Sequence, residues 1–509
     1  MPASDPILDL LIVGGGVNGA GIARDAAGRG LSVLLCEQGD LAGATSSASS
    51  KLIHGGLRYL EHYEFRLVRE ALQEREVLLG IAPHIAWPMR FVLPHSPEQR
   101  PVWMVRLGLF LYDHIGGHRS LPGTQRLDLR RVPEGAPVKD EFTTGFAYSD
   151  CWVDDARLVA LNALDAAERG AAIHTRTRCT SARREDGAWR AELRGADGAV
   201  REVRARVLVN AAGPWVADVL NARAGLNSSK KPRLVKGSHI ILPRLYDGKQ
   251  AFILQNTDKR VIFAIPYQEA FSLVGTTDIP FEGDPGHVTI SPEETSYLCD
   301  AVNRYFKRPV APGDVVHSYS GVRPLYDDAA ANASAVTRDY VLDVDGNGVD
   351  GNGGEPPVLS VFGGKITTYR RLAEHALQKL LPFLQAPRPA PWTASAPLPG
   401  GDFGGSFDDY EARFKAAHPW LPPPLAHRLL RAYGSRVERV VDGAQSLAGL
   451  GTDLGAGLTE AELDHLVRDE WARDVDDVLW RRSKLGLVLP PDARGALRTA
   501  LEARVRAYA

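Results

Sequence analysis

The strongest structural signal in this chain is the segment ILDLLIVGGGVNGAGIARDAAGRGLSVLLCE at residues 7–37. It opens on the mostly apolar run Ile7–Val13, which is typical of a buried strand, and continues into the pattern G-x-G-x-x-G at residues 14–19. A helix-compatible segment follows, and a second apolar run, Ser32–Cys36, ends at Glu37. This order predicts a dinucleotide-binding βαβ unit.

Each part of this unit has a physical role in holding a dinucleotide. Gly14 permits the tight turn, Gly16 lets the backbone approach a pyrophosphate, and Gly19 permits close packing of the helix on the strand. The helix N-terminus offers unpaired N–H groups and a partial positive charge to the phosphates. Glu37 can accept hydrogen bonds from the ribose hydroxyls of an adenosine. The unit does not distinguish NAD from FAD, because both carry an adenosine diphosphate half.

Composition and charge exclude several classes of protein. The 509 residues are 44% hydrophobic and 24% charged, which argues against disorder, collagen-like repeats and a membrane-spanning bundle. The net charge of −2 provides no global positive field for nucleic acid. The four cysteines lie far apart, which excludes a disulfide scaffold, a zinc ribbon and a dithiol relay. No secretory signal or long apolar run is visible, so we expect a cytoplasmic protein.

Seven further segments, together with the glycine pattern, resemble the FAD-dependent glycerol-3-phosphate dehydrogenases of the bacterial aerobic, respiratory type. The resemblance runs over nearly the whole chain, and its motifs occur in the same order. They are SSKLIHGGLRYLE (49–61), NAAGPW (210–215), KGSH (236–239), SGVRPL (320–325), TRDY (337–340), GGKITTYR (363–370) and LWRRSKLG (479–486).

The resemblance implies an α/β fold in which a Rossmann-like FAD-binding domain is interleaved with a mainly antiparallel β-sheet substrate domain, followed by a C-terminal α-helical domain. The body would span residues 1–387 and the helical domain 388–509, joined across the Pro- and Gly-rich stretch Ala386–Gly405. Within the body, we expect the FAD part at about 1–90, 150–235 and 330–387, and the substrate part at about 91–149 and 236–329.

The function implied by the resemblance is oxidation of sn-glycerol 3-phosphate to dihydroxyacetone phosphate by hydride transfer to FAD. Electrons would pass to ubiquinone or menaquinone from a peripheral position on the inner face of the cytoplasmic membrane. A glycerol-3-phosphate oxidase that reduces O2 to H2O2 is the alternative; that family commonly has a longer chain, so 509 residues favour the dehydrogenase. An amine oxidase of the same superfamily and a non-catalytic flavin-binding regulator fit the cationic motifs less well. A homodimer is left open.

Alcohol oxidation requires a proton acceptor and stabilisation of the developing oxygen charge, and a phosphate dianion requires cationic donors. From the resemblance we assign Arg323 and Lys365, with Tyr59 beside them, to the C2 oxygen, and Arg58, Arg338 and His239 to the phosphate. The proton acceptor is left open between His239 and a lysine with a lowered pKa, because arginine stays protonated. The predicted FAD-binding residues are Gly14, Gly16, Val17, Asn18, Gly19, Glu37, Thr45, Ser46, Ser50, Lys51, Leu52, His54, Gly55, Gly56, Ala212, Gly213, Trp215, Gly364, Lys365, Ile366 and Thr367.

Three other segments allow two interpretations each. The basic amphipathic stretch Arg494–Tyr508 could lie on a membrane or dock on the protein, and the apolar stretch Val102–Leu111 could be a contact surface or core. Residues 343–348, DVDGNG, begin like a calcium loop, but the twelfth position is Gly354 rather than glutamate. An expanded hairpin loop is therefore predicted there, and no metal site.

Overall fold

The computed structural model describes residues 6–117, 120–258, 260–326, 339–348 and 354–508, and of Arg58 and His62 the backbone alone. Within these residues the strands are β1 (Leu8–Val13), β2 (Val33–Cys36), β3 (Leu52–Ile53), β4 (Ala86–His95), β5 (Gln125–Asp128), β6 (Thr144–Val153), β7 (Ala172–His174), β8 (Thr177–Glu185), β9 (Ala188–Gly195), β10 (Val200–Asn210), β11 (Pro232–Pro243), β12 (Ala251–Gln255), β13 (Val261–Tyr267), β14 (Phe271–Gly275), β15 (Ile279–Pro280), β16 (His317–Tyr326), β17 (Val341–Asp345) and β18 (Val358–Phe362). The helices are α1 (Val17–Gly28), α2 (Phe65–Ile81), α3 (Val102–Ile115), α4 (Asp155–Glu168), α5 (Val216–Asp218), α6 (Pro292–Tyr305), α7 (Tyr369–Leu380), α8 (Phe407–Ala417), α9 (Pro423–Tyr433), α10 (Val437–Val441), α11 (Glu460–Asp469) and α12 (Ala493–Ala507).

The first sheet has the strand order β17-β18-β10-β1-β2-β7, with β9 on β10 and β8 on β9. Strands β18, β10, β1, β2 and β7 are parallel, so their carboxyl ends meet at one edge of the sheet. Alternate residues of β1 face opposite sides: Ile12 packs with helices α1, α4 and α7, whereas Leu11 packs with β9 and β10. The sheet is thus covered on both faces, as expected of a parallel sheet.

The second sheet has the order β15-β11-β14-β13-β12-β4-β6-β3, with β16 on β11 and β5 on β6. Its strands pair antiparallel except β4 with β12. Helix α6 covers one face around Leu298 and Val302, and helices α2 and α3 cover the other around Leu72 and Leu109. Strand β16 brings the segment around Arg323 against β11.

Helices α8 to α12 share a third apolar core, in which Leu430, Leu466, Leu479 and Leu497 are buried. The predicted fold class is confirmed: a parallel nucleotide-type sheet is interleaved with a mainly antiparallel sheet and followed by helices. Strand β3 belongs to the second sheet although its residues fall in the predicted FAD part, and the domain boundaries remain predictions.

The two candidate surface segments differ in the structure. Helix α12 buries Leu497 and Leu501 in the C-terminal core, so this stretch docks on the protein. Helix α3 buries Leu109 and Tyr112 but leaves Trp103 64% exposed. Within the described residues, no helix combines the length and apolar character that crossing a bilayer requires.

Candidate functional site

A cavity of about 680 Å³ opens at the carboxyl edge of the first sheet and extends to the middle of β11 and β16 in the second. Its size lies within the range of roughly 300–1,000 Å³ common for ligand pockets. Most of the predicted site residues line it: Gly14, Gly16, Val17, Asn18, Glu37, Thr45, Ser46, Ser50, Leu52, His54, Tyr59, Ala212, Gly213, Trp215, His239, Arg323, Gly364, Lys365, Ile366 and Thr367.

The glycine turn between β1 and α1 is built for close backbone approach. Gly14 has a φ of +115°, which L side chains rarely adopt. A Cβ at Gly19 would lie 1.9 Å from the Gly14 carbonyl oxygen, so Gly19 acts through packing and does not itself line the cavity. At Gly16, by contrast, the nearest atom to a Cβ is Ser46 Oγ at 3.1 Å. The Val17 amide donates to the same Ser46 Oγ at 3.0 Å.

Glu37 holds the loop beside the turn with both carboxylate oxygens. Oε2 accepts from the Gly15 amide and Oε1 from the Gly39 amide, each at 2.7 Å. Burial raises the pKa of Glu37, and the two amide hydrogen bonds oppose that rise. Each oxygen retains a lone pair that can accept from a ribose hydroxyl.

The loop from Thr45 to Lys51 is held by a buried ion pair. Lys51 Nζ lies 2.8 Å from Asp155 Oδ1 at the start of α4, and Ser49 Oγ donates to Asp155 Oδ2 at 2.7 Å. Lys51 has a φ of +57°, and its side chain points to Asp155 rather than into the cavity. The Lys51 side chain therefore fixes the loop through Asp155 and does not line the cavity.

His239 is buried in β11 of the second sheet and contacts the loop between β2 and β3. Its Nε2 is 2.9 Å from Ser50 Oγ, and its ring stacks on Tyr319, whose hydroxyl donates to the Ser49 carbonyl oxygen at 2.8 Å. Burial, together with the nearby charges of Lys51 and Arg323, lowers the pKa of His239 to about 3. The imidazole is thus neutral at physiological pH.

Two of the cationic side chains predicted to contact the substrate line the cavity from different elements. Lys365 follows Gly363 and Gly364, both with positive φ, and its Nζ lies 3.8 Å from the centre of the Tyr59 ring. Arg323 on β16 donates through Nη2 to Asp278 Oδ1 at 3.1 Å, which fixes the guanidinium at the cavity wall.

The turn that carries Tyr59 is anchored from helix α3. The Gly55 amide donates to Tyr112 Oη at 2.8 Å, and Tyr112 donates to Asp150, which also pairs with Arg75 at 2.9 Å. Gly56 has a φ of +74°, and a Cβ there would lie 2.2 Å from the Tyr59 ring. Gly55 and Gly56 therefore shape the turn without lining the cavity.

Two predicted residues cannot be placed by their side chains. The backbone of Arg58 lies in the 3₁₀ turn Leu57–His62, and Arg338 lies outside the described residues. The sequence analysis also missed side chains that hold or line the site: Asp155, Tyr112, Asp40, Arg176 and Arg481. For Arg481 a signal existed, because it lies in the motif LWRRSKLG, to which no role had been attached.

Comparison with known proteins places these features in context. Residues 9–370 match the family described as FAD dependent oxidoreductase, and residues 391–506 match the C-terminal domain of alpha-glycerophosphate oxidase. The chain is 57% identical over 485 residues to a glycerol-3-phosphate dehydrogenase of Pseudomonas aeruginosa, covering 95% of this chain and 93% of that one.

Two further similarities bear on substrate and fold. A D-erythritol 1-phosphate dehydrogenase of Brucella abortus is 56% identical over 493 residues, 96% of each chain. The solved structure of glycerol-3-phosphate dehydrogenase from Bacillus halodurans, complexed with FAD, matches with a TM-score of 0.73 at 24% identity, covering 99% of this chain and 95% of that one.

The residues present fit FAD. The glycine turn leaves backbone open to a pyrophosphate at Gly16, Glu37 faces the same cavity, and the cavity continues past Thr45 and Ser50 to Lys365. In the described parts of the chain, no group of three or more His, Cys, Asp or Glu side chains is arranged to hold a metal ion.

Gly19→Ala is expected to give protein without bound FAD, because the new methyl group would force helix α1 away from the Gly14 carbonyl. Gly80→Ala in α2 is the control: no atom lies within 4 Å of its Cβ position, and the change should stabilise the helix by up to about 1 kcal/mol. Flavin absorbance per protein measures the outcome. An FAD-loaded Gly19→Ala protein would contradict the packing argument.

Tyr112→Phe is expected to lower the free energy of unfolding by about 1–3 kcal/mol, because the buried Gly55 amide loses the Tyr112 hydroxyl as its acceptor and Asp150, which keeps Arg75, loses the same hydroxyl as a donor. Tyr148→Phe is the matched control, since Tyr148 is equally buried and packs edge-on against Tyr112. Denaturant unfolding of both variants checks this. Equal losses would mean that the Tyr112 hydroxyl does not hold the turn.

Proposed function

Because this chain belongs to the family of FAD-dependent oxidoreductases, we propose that it oxidises sn-glycerol 3-phosphate to dihydroxyacetone phosphate with FAD as its cofactor. The observation that carries the proposal is the convergence of Arg323 and Lys365 on the cavity that the nucleotide turn also lines. Two fixed cations suit a phosphorylated alcohol, whose oxygen gains negative charge as it is oxidised. The identity to the Pseudomonas aeruginosa enzyme supports the same substrate.

In this mechanism the protein binds the substrate and polarises its C2 hydroxyl group. When bound, FAD accepts the two electrons and the hydrogen that leave the substrate carbon. Lys365, above the Tyr59 ring, and Arg323, fixed by Asp278, stabilise the charge on the C2 oxygen. Arg58 and Arg338 are assigned to the phosphate from their motifs.

We assign proton acceptance to His239. Its neutral ring has a lone pair to accept the hydroxyl proton but no charge with which to hold a phosphate. Burial is the largest cause of this low pKa, and a substrate anion beside Arg323 would offset part of the positive charge that lowers it further. Of its two predicted roles, we therefore propose that of base.

D-erythritol 1-phosphate is a second candidate substrate, which the 56% identity to the Brucella abortus enzyme favours. It carries the same terminal phosphate beside a secondary alcohol, with one additional hydroxylated carbon. The same cations would serve both substrates, so the choice depends on the room available beyond the reacting carbon.

Anaerobic stopped-flow absorbance at the flavin band tests the function. Glycerol 3-phosphate is expected to bleach the flavin rapidly, and glycerol, which lacks the phosphate, is not. Preference for D-erythritol 1-phosphate in kcat/KM would replace the first substrate by the second. A flavin that neither compound reduces would contradict both substrate assignments.

Variants separate the assigned roles. Arg323→Met should lower the rate of flavin reduction about 10²–10³-fold, the usual cost of removing one charge-stabilising donor. His239→Gln should slow reduction by the same factor throughout the neutral pH range, because the His239 ring is already uncharged there, whereas Arg260→Met, on an exposed pair with Asp258, should have wild-type kinetics. Wild-type reduction by either site variant would contradict its role.

We propose that electrons leave to a quinone at the membrane surface. Helix α3 exposes an apolar stripe formed by Trp103, Leu107, Phe110 and Leu111, and Arg106 is exposed on the same helix. Apolar side chains beside basic ones are typical of a helix lying in the interface of an anionic membrane.

The reduced enzyme should then be reoxidised by a quinone much faster than by oxygen; the reverse would identify an oxidase.

The double variant Trp103→Ser/Phe110→Ser should bind anionic vesicles at least about tenfold more weakly, since burying one large apolar side chain contributes roughly 1.5–3 kcal/mol. Leu447→Ser, which removes an exposed apolar side chain near the C-terminal core, is the control. Vesicle co-sedimentation measures both. Unchanged binding by the double variant would mean that a surface other than helix α3 contacts the membrane.

A further inference from the structure

The motif LWRRSKLG of residues 479–486 connects the C-terminal helices to the nucleotide side of the protein through several ion pairs. Arg482 is buried and donates through Nη1 and Nη2 to the two oxygens of Asp40 at 2.9 and 2.8 Å. Arg481 Nε lies 2.5 Å from Asp40 Oδ2, and Arg481 also pairs with Asp477. Two arginines of one segment thus meet on a single buried carboxylate.

Asp40 belongs to the loop that follows β2 and forms a wall of the cavity. It lies three residues after Glu37, and two residues further on the Ala42 amide donates to the Gly15 carbonyl oxygen at 3.0 Å. Glu37 and Asp40 both line the cavity. Holding Asp40 therefore holds the loop that connects the acidic residue to the glycine turn.

Arg176 also holds this loop, through ion pairs with the C-terminal unit and a backbone hydrogen bond to Gly39. Arg176 Nη2 lies 2.7 Å from Asp474 and 2.6 Å from Asp477, while the Arg176 amide donates to the Gly39 carbonyl oxygen at 2.7 Å. Asp474, Arg176 and Arg481 line the cavity together with Gly39. The C-terminal helices thus supply both a lining surface and the ion pairs that fix it.

The motif has two more anchors outside the wall. Lys484 Nζ donates to Asp154 Oδ1 at 3.1 Å, at the N-terminus of α4, and the Trp480 ring stacks on His317 of β16 at 4.1 Å. One segment therefore contacts the nucleotide loop, a helix of the first sheet and a strand of the second. Its position cannot change without breaking these contacts together.

We propose that the C-terminal helical unit retains FAD, and that Arg481 is the positioning residue that keeps the loop of residues 37–43 closed over the part of the cavity faced by Glu37. Release of FAD requires this loop to move away from the glycine turn, and the pairs that Arg481 and Arg482 form with Asp40 both oppose that movement. The inference depends on the cofactor and not on the identity of the substrate, so failure of the substrate assignment would leave it intact.

Arg481→Met tests the proposal, because methionine keeps an unbranched apolar side chain and removes the charge. Arg504→Met is the matched control: Arg504 is 16% exposed, against 18% for Arg481, and pairs with Asp464 and Glu460 inside the C-terminal unit. Arg481→Lys keeps the charge and can pair with Asp40, but it has no planar guanidinium to reach Asp477 at the same time. It should therefore retain FAD better than Arg481→Met and less well than wild type.

The measurement is the rate of FAD dissociation from the purified holoenzyme, followed by the rise of flavin fluorescence after dilution. Arg481→Met is expected to dissociate at least about tenfold faster than wild type, the equivalent of one lost charged pair. Arg504→Met should stay within about twofold, and Arg481→Lys should lie between. Wild-type dissociation by Arg481→Met, or equal acceleration by Arg504→Met, would overturn the proposal.

Discussion

The Lys51 ammonium and the Asp155 carboxylate are buried against each other where the chain passes from the nucleotide side to the second sheet. Burial lowers the pKa of Lys51, and the charge of Asp155 opposes this shift. Removing one partner would leave the other charge buried and unpaired, at a cost of about 3–5 kcal/mol. The pair therefore confines the loop before it to one arrangement, including the left-handed backbone of Lys51.

This one loop connects the two ends of the cavity. Ser46 accepts from the Val17 amide at the start of α1, and Ser50 contacts His239 on the second sheet. The nucleotide turn and the proposed base are therefore positioned by neighbouring residues of the same segment. A change that loosens Lys51 or Asp155 would therefore act on both at once, although the Lys51 side chain lies outside the cavity.

The features predictable from sequence are those that depend on short chain distances. The glycine spacing at residues 14–19 and the acid at Glu37 follow from the geometry of a single βαβ unit, so pattern alone was sufficient. The resemblance added the motifs around His239, Arg323 and Lys365, all of which line the cavity.

The missed residues depend on contacts between remote segments. Tyr112 reaches Gly55 across 57 residues, and Arg481 reaches Asp40 across 441, so no local pattern marks either pair. Lys51 is predicted from its motif to contact the cofactor, and this stays a prediction; its side chain pairs with the buried Asp155 carboxylate, a partner that the motif does not reveal.

Helix α3 links the outer surface to the site, because its two faces belong to one rigid element of fourteen residues. One face presents Trp103 and Phe110 to solvent, and the other carries Tyr112, whose hydroxyl holds the Gly55 amide. Gly55 leads into the turn that places Tyr59 beneath Lys365. Since packed interiors transmit small displacements, the outer face of α3 and the cation over Tyr59 are not positioned independently. The surface proposed to contact the membrane is thus connected, through helix α3 and the Gly55 turn, to the part of the cavity where the alcohol would be oxidised.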